Sequence, residues 1–233
     1  MSAVSNLCVE LFSILCLGSI GCNARGHPAR GPEVPLPGQV IDFATLYKQN
    51  CAGCHGENGK NGAALSLADP VYLAVAGQAT VRQVTANGIA GTLMPAFEKS
   101  AGGTLTDRQI DSLVQGILQH WSRPNVLSVS PAPPYAASSK ADPTQGQKSF
   151  VEFCARCHGA EGQGTRNAPG SIVDPSYLAL VSDQSLRSTI IAGRSDQGMP
   201  DWRSDLSGSG ARAMTDQEIS DVVAWLEAQR PPL

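Results

Sequence analysis

Two short runs of the chain carry thiols and an imidazole at a spacing that could hold a haem. Each run has the form Cys-X-X-Cys-His; the first contains Cys51, Cys54 and His55, and the second contains Cys154, Cys157 and His158. This spacing is typical of c-type haem attachment, in which the two thiols add across the haem vinyl groups. The histidine that follows would then lie under the iron as its proximal ligand. Two copies predict two covalently bound haem c groups.

A Cys-X-X-Cys pair alone also occurs in thioredoxin-like redox proteins and in zinc sites. A redox pair would lie in a βαβ context, for which the strand signals in this chain are weak. A zinc site would need a fourth ligand, and outside the two motifs the histidines are His27 and His120. The adjacent histidine and the duplication therefore favour haem over both alternatives.

Two methionines are candidates for the distal iron ligand. Met94 and Met199 each precede a proline and stand at equivalent positions of an internal repeat. A thioether favours Fe(II), so His/Met ligation raises the reduction potential. Methionines also fill gaps in hydrophobic cores, but their equivalent placement favours ligation. Met214 has no counterpart in the first repeat and is interpreted as structural, and His120 as a packing or surface residue.

Three arginines are candidate partners for the haem propionates. Arg82 and Arg187 are matched across the repeat, and Arg194 is a further candidate in the second copy. The guanidinium group suits bidentate contact with a carboxylate. Ordinary packing on a helix surface is the alternative interpretation, and it is favoured for the matched tyrosines Tyr72 and Tyr177.

The internal repeat organises the chain into two domains, residues 38–122 and 143–233, joined by a Pro/Ser/Ala-rich linker at 123–142. Each repeat ends in a helix that opens with a capping box, Thr106 with Gln109 and Thr215 with Glu218. Each also begins with a helix that runs into its Cys-X-X-Cys-His motif. We expect the first and last helices of each repeat to cross through Tyr47 in one domain and Phe150 in the other.

The N-terminal 22 residues read as an export signal. Residues 11–20 form an apolar run as long as a signal h-region. No Lys or Arg precedes this run, which is unusual for a signal peptide, and Glu10 lies directly before it. Cys22 follows Gly21 in a partial match to a bacterial lipobox, which predicts either an ordinary signal peptide or a lipidated Cys22. Residues 23–37 contain four prolines and predict an extended tether.

Composition limits the function classes. The net charge is -3 and the chain has no basic run, so no nucleic-acid partner is expected. Aromatic residues make up 5% of the chain, beside 24 glycines and 16 prolines, so each small domain has little apolar core of its own. A bound haem would supply that apolar centre.

Each repeat, with these motifs, resembles a class I cytochrome c domain. The matching residues are CAGCH with Met94-Pro95-Ala96-Phe97 in the first copy, and CARCH with Gly193-Arg194 and Met199-Pro200-Asp201-Trp202 in the second. The resemblance implies an all-α fold in which each domain wraps one haem. By analogy with two-domain units that serve terminal oxidases and periplasmic dehydrogenases, it implies an exported electron carrier in the periplasm, with redox proteins as donor and acceptor.

Other functions stay open at this point. A dihaem enzyme, such as a peroxidase or a thiosulfate-oxidising cytochrome, would need an open or labile iron, often with His or Cys ligation. The cysteines outside the motifs are Cys8, Cys16 and Cys22, all in the leader, and no distal histidine is matched between the repeats. A third alternative is an electron-entry subunit of an oxidase or dehydrogenase complex, anchored to the membrane through a lipidated Cys22.

Overall fold

The structure, a computed structural model, describes residues 31–128, 130–166, 170–203 and 212–231. The chain forms two units, residues 1–37 and 38–233. In the first unit the described residues are exposed. The predicted export signal and Cys22 lie outside the described residues. None of the described helices is long and apolar enough to cross a membrane.

The second unit contains both repeats, and its described residues are helical without a β-strand. This confirms the all-α prediction. In the first repeat the α-helices are α1 (Phe43–Asn50), α2 (Ala52–His55), α3 (Pro70–Asn87) and α4 (Asp107–Trp121), with 3-10 helices at Pro37–Gln39 and Lys99–Ala101. In the second they are α5 (Pro143–Phe153), α6 (Ala155–His158), α7 (Pro175–Leu180), α8 (Asp183–Ala192) and α9 (Asp216–Glu227), with a 3-10 helix at Ser195–Gln197.

Side-chain caps fix the helix starts that the sequence signals. Thr106 and Thr215 both form complete capping boxes, with Gln109 and Glu218 respectively, as predicted. Asp69 caps α3 by accepting from the backbone N–H groups of the next turn, where a proline at the first helical position has no N–H to satisfy. The long helices that frame each motif therefore begin at defined residues.

The first and last helices of each repeat cross at aromatic contacts. The ring centroids of Tyr47 and Trp121 lie 5.1 Å apart, and those of Phe150 and Trp225 lie 4.5 Å apart. Tyr47 and Phe150 are both buried, so the predicted crossing is confirmed in both domains. Such pairs stabilise by about 0.5–1.5 kcal/mol beyond their buried area.

A glycine at each crossing lets the two helices approach closely. A Cβ on Gly116 of α4 would lie 2.1 Å from the ring of Phe43, and one on Gly146 of α5 would lie 1.9 Å from the backbone oxygen of Asp221. The two domains place this glycine on opposite partners, on the last helix in the first domain and on the first helix in the second.

The middle helix is interrupted at the same place in both repeats. In α3 the chain kinks at Gly77, whose φ of 72° lies outside the helical region. In the second repeat α7 ends at Leu180 and α8 begins at Asp183, with Ser182 as its N-cap. Ser182 stands at the position of Gly77 and does not readily adopt a positive φ. The kink of the first repeat is therefore a complete break between two helices in the second.

The linker packs on the second domain. The guanidinium of Arg187 donates to the backbone oxygens of Pro134, at 2.8 Å, and Tyr135, at 3.1 Å. Gln184 also donates to the Tyr135 carbonyl, at 2.8 Å. The sequence left open whether this segment is extended or lies on a domain surface, and in the structure it lies on the surface formed by α8.

Candidate haem-binding sites

Each Cys-X-X-Cys-His motif sits where the first helix of its domain ends. The N–H of Cys51 donates to the Tyr47 carbonyl at 2.8 Å, and that of Cys154 donates to the Phe150 carbonyl at 2.8 Å. The aromatic residue at the helix crossing is thus one turn before the first cysteine. That aromatic side chain packs on its partner in the last helix, so the motif directly follows the helix crossing.

Within each motif the two thiols differ in exposure. Cys51 is buried and Cys154 is partly buried, whereas Cys54 and Cys157 are exposed. Burial, with a smaller contribution from the neighbouring thiol, raises the pKa of both Cys51 and Cys154 to about 12. None of these four residues forms a disulfide in the structure.

His55 is oriented as a proximal ligand requires. Its Nδ1 lies 2.7 Å from the backbone oxygen of Leu65. That oxygen can only accept, so Nδ1 carries the proton and Nε2 is left with a free lone pair. Burial, the largest effect, lowers the pKa of His55 and keeps the ring neutral. Histidines that bind a metal typically donate a hydrogen bond from their other ring nitrogen to a carbonyl oxygen or a carboxylate.

His158 repeats this position with one difference. Among the described residues its buried Nδ1 has no hydrogen-bond partner, and burial lowers the pKa of the ring. The stretch that corresponds to Leu65 includes residues 167–169, which lie outside the described residues.

Met94 and Met199 occupy closely similar backbone loops. The Ile89 N–H donates to the Met94 carbonyl at 3.0 Å, and the Arg194 N–H donates to the Met199 carbonyl at 2.9 Å. Both side chains are partly buried. The loops therefore present the two methionines in the same way, as their equivalent placement in the repeat predicts.

A glycine before each loop allows the Met-Pro segment to close on the preceding helix. Gly88 and Gly193 have φ of 68° and 75°. A Cβ on Gly88 would lie 2.6 Å from backbone atoms of Pro95 and Ala96, and one on Gly193 would lie 2.6 Å from the Met199 oxygen. The sequence shows that these glycines are equivalent, but their role depends on a close backbone approach that it does not reveal.

The guanidinium groups of the matched arginines have protein partners. Arg82 is bound at 2.8 Å by both Asp107 and Asp111 on α4, in exposed ion pairs. Arg187 is buried and pairs with Asp216 as well as with the linker carbonyls. In both domains this arginine ties the middle helix to the last helix, and contact of either residue with a propionate stays a prediction.

Arg194 points to the other domain. It pairs with Asp196, at 3.2 Å, and donates at 3.1 Å to the backbone oxygen of Gly62 in the first domain. Its propionate contact also stays a prediction. Met214 and His120 take structural positions, because Met214 is buried and His120 stacks on Phe43 with centroids 4.8 Å apart.

Comparison with known families agrees with this geometry. Residues 38–115 match the family described as cytochrome c oxidase, cbb3-type, subunit III, and residues 143–229 match the cytochrome c family. The chain belongs to the cytochromes c, as a tandem of two cytochrome c domains. Domains of this family carry covalently bound haem c, and the thiols and imidazoles described above fit that group.

Individual relatives of this tandem cytochrome include cbb3-type oxidase subunits and a thiosulfate dehydrogenase. This chain is 30% identical over 195 residues to the cbb3-type cytochrome c oxidase subunit CcoP of Rhodobacter capsulatus. The match covers 79% of this chain and 60% of that subunit. This chain is 26% identical over 189 residues to a thiosulfate dehydrogenase of Psychrobacter arcticus, covering 76% and 54% respectively. The cytochrome therefore spans less than two thirds of the length of these relatives.

Among solved structures, a reducing HAO-like protein complex of Kuenenia stuttgartiensis is similar to the tandem cytochrome with a TM-score of 0.45 and 18% identity. The match covers 85% of this chain and 100% of that one.

Proposed function

We propose that this chain is a dihaem electron carrier in which each iron is bound by one histidine and one methionine. The ligand pairs are His55 with Met94 and His158 with Met199. The observation that carries the proposal is the duplication of the whole arrangement. In both domains the motif follows an aromatic helix crossing, and in both a positive-φ glycine seats the Met-Pro loop.

Two protein ligands on each iron would favour electron transfer over chemistry at the metal. If one histidine and one methionine hold each iron, no position would be open to a substrate, and the haem would supply a one-electron couple. Methionine ligation raises the reduction potential of both haems.

The relatives and the N-terminal sequence support a proposal for the partners and the location. We propose an exported protein that exchanges single electrons with other redox proteins in the periplasm. Similarity to a cbb3-type oxidase subunit supports a membrane oxidase as acceptor, and a periplasmic dehydrogenase is the alternative partner. Lipidation of Cys22 would tether the carrier at the membrane surface beside such a complex.

A thiosulfate-oxidising enzyme is the second candidate, because one relative is a thiosulfate dehydrogenase. This activity would need a haem whose distal ligand is labile. Thiosulfate added to the oxidised protein would then reduce the haems directly, and one haem would be high-spin. The electron-carrier proposal expects two low-spin haems and no reduction by thiosulfate unless a partner enzyme is present.

Substitution of the methionines tests the ligand assignment. Leucine conserves their volume, so Met94→Leu and Met199→Leu should each remove about half of the thioether-to-iron absorption band of the oxidised protein, and the double variant all of it. The potential of the altered haem should fall, because the soft ligand is lost. Met214→Leu, at the third methionine, is the matched control and should keep the full band. Retention of the band in both Met94→Leu and Met199→Leu would overturn the assignment.

A further inference from the structure

The two domains meet where the loop of one distal ligand touches the loop of the other domain's motif. We name residues 194–199 the methionine loop and residues 56–65 the motif loop. Three hydrogen bonds join the methionine loop to the first domain. Arg194 Nη2 donates to the Gly62 oxygen at 3.1 Å, and the Asn61 N–H donates to Asp196 Oδ2 at 2.8 Å. Ser195 Oγ donates to Asp69 Oδ2 at 3.3 Å.

The charged groups at this contact are withdrawn from water. The side chain of Asp196 is 4% exposed and that of Arg194 is 14% exposed, while Asp69 is 5% exposed. Removing one partner of a buried ion pair leaves the other charge buried without compensation, which is strongly unfavourable. The contact is therefore specific, and it depends on every one of its members.

On the first-domain side the contact reaches the haem-attachment motif through the backbone. Gly62 packs directly on that motif, since a Cβ at this position would lie 2.2 Å from the Cys54 oxygen and 2.6 Å from the carbonyl carbon of His55. The N–H of Ala64 also donates to the Cys54 oxygen at 2.9 Å. The residue that accepts from Arg194 is thus in contact with the motif of the first haem.

On the second-domain side the contact reaches the distal ligand. Arg194 and Met199 exchange both backbone hydrogen bonds, with the Arg194 N–H donating at 2.9 Å and the Met199 N–H donating at 3.0 Å. The residue that binds the first domain is therefore hydrogen-bonded to the methionine itself. Any shift of Arg194 would move Met199.

The equivalent loop of the first domain is stabilised by hydrogen bonds between its own residues. Ile89 stands at the position of Arg194, and Thr92 closes that loop internally. The Thr92 hydroxyl donates to the Ile89 oxygen at 2.8 Å and accepts from the Met94 N–H at 3.2 Å. At the position of Thr92 the second domain has Gln197, and its loop instead uses the Arg194–Asp196 pair and the neighbouring domain.

We propose that Arg194 and Asp196 are positioning residues that hold Met199 on the iron of the second haem while the two domains are docked. The inference rests on the proposed His/Met ligation. The first domain then acts as part of the support for the second haem's distal ligand. Because coupling between two equilibria is reciprocal, ligation of the second iron by Met199 would in turn favour the docked arrangement of the two domains.

The test uses the full-length protein with both haems attached and follows the thioether-to-iron band. Arg194→Gln and Asp196→Ala are each made in two backgrounds, Met94→Leu and Met199→Leu, so that the remaining band belongs to a single haem. Both variants should diminish the band of Met199 and leave that of Met94 unchanged. If the affinity of Met199 for Fe(II) falls tenfold while its affinity for Fe(III) is unchanged, the potential of that haem falls by about 59 mV.

Arg230→Gln is the matched control. Arg230 also binds carbonyls and a carboxylate, namely Leu178 at 3.1 Å, Val181 at 2.8 Å and Asp183 at 2.6 Å, all within the second domain. Its loss costs comparable contacts without touching the domain contact, so both bands should persist. A second readout is carbon monoxide binding to the reduced protein, which should appear at the second haem in Arg194→Gln and stay absent in Arg230→Gln.

Two outcomes would overturn the proposal. One is an unchanged Met199 band and potential in both Arg194→Gln and Asp196→Ala. The other is a loss in Arg194→Gln with no change in Asp196→Ala, since Asp196 carries the bond from Asn61. Failure of the proposed ligation is a separate result, because the unsubstituted protein would then lack the thioether bands from the start.

Discussion

At the scale of single residues, the ligands depend on glycines as much as on the side chains that bind iron. Gly88 lets the Met94-Pro95 segment lie against the end of α3, where its φ is 68° and a Cβ would lie 2.7 Å from the Met94 oxygen. In the proposed ligation, Met94 reaches the haem only if this segment is close. The glycine would then be part of the site although it binds nothing.

Gly88→Ala should expel Met94 from the iron of the first haem. Gly91→Ala is the matched control, because Gly91 also has a positive φ of 73° but no neighbour within 4 Å of its Cβ position. Both variants carry the strain of roughly 1–2 kcal/mol that a side chain meets at such φ, and only Gly88→Ala adds the collision. Absorption spectra of the oxidised proteins should show half of the thioether band lost in Gly88→Ala. An equal loss in Gly91→Ala would attribute the effect to backbone strain alone.

The candidate iron ligands can be named from the sequence, whereas the partners of the arginines cannot. Local spacing and repetition in the second domain point to His55 and Met94, and ligation by both stays a prediction. The guanidinium of Arg187 meets Pro134 and Asp216, and these residues come together only through the tertiary fold. Sequence pattern identified a matched arginine but could not show which carboxylate it faces.

At the scale of elements, the capping boxes are the signals that the sequence shows best. Thr106 with Gln109 and Thr215 with Glu218 are contiguous patterns, and both caps form as predicted. The crossing of the first and last helices was also predicted from Tyr47. What the sequence did not show is the glycine at each crossing, because its need arises from a neighbouring helix distant in the chain.

Glu218→Gln should keep the cap of α9 but lose its acid sensitivity. The hydrogen bond from Arg212, at 2.7 Å, is the largest effect that lowers the pKa of Glu218 below its ordinary 4.5. This contribution to stability is present above pH 4.5 and is lost as the pH falls through the lowered pKa. The amide can still cap, as Gln109 does in the first domain.

Thermal unfolding across pH measures this difference. Glu218→Gln should be less stable than the unsubstituted protein near neutral pH, by at most about 1 kcal/mol for a pair at the surface. The two stabilities should converge in acid. Arg212→Gln removes the same pair together with the 3.0 Å pair to Glu152, and its stability should also approach that of the unsubstituted protein in acid. A difference that stays constant from neutral to acidic pH would mean that the ion pair contributes nothing.

At the scale of the whole molecule, the two domains are joined by more than the linker. Arg203 of the second domain donates at 2.8 Å to the Val126 oxygen at the start of the linker, and the methionine loop binds the motif loop. Composition predicted the linker but not the surface on which it lies. Contacts between residues more than 70 positions apart leave no periodic signal in a sequence.

We expect each chain to hold two closed, methionine-ligated haems. A spectroelectrochemical titration of the intact protein measures haem number, spin state and both potentials together. It should show two low-spin haems per chain, two one-electron steps and the thioether-to-iron band throughout the oxidised state. A single haem per chain, or a high-spin haem that reacts with peroxide or thiosulfate, would contradict this expectation.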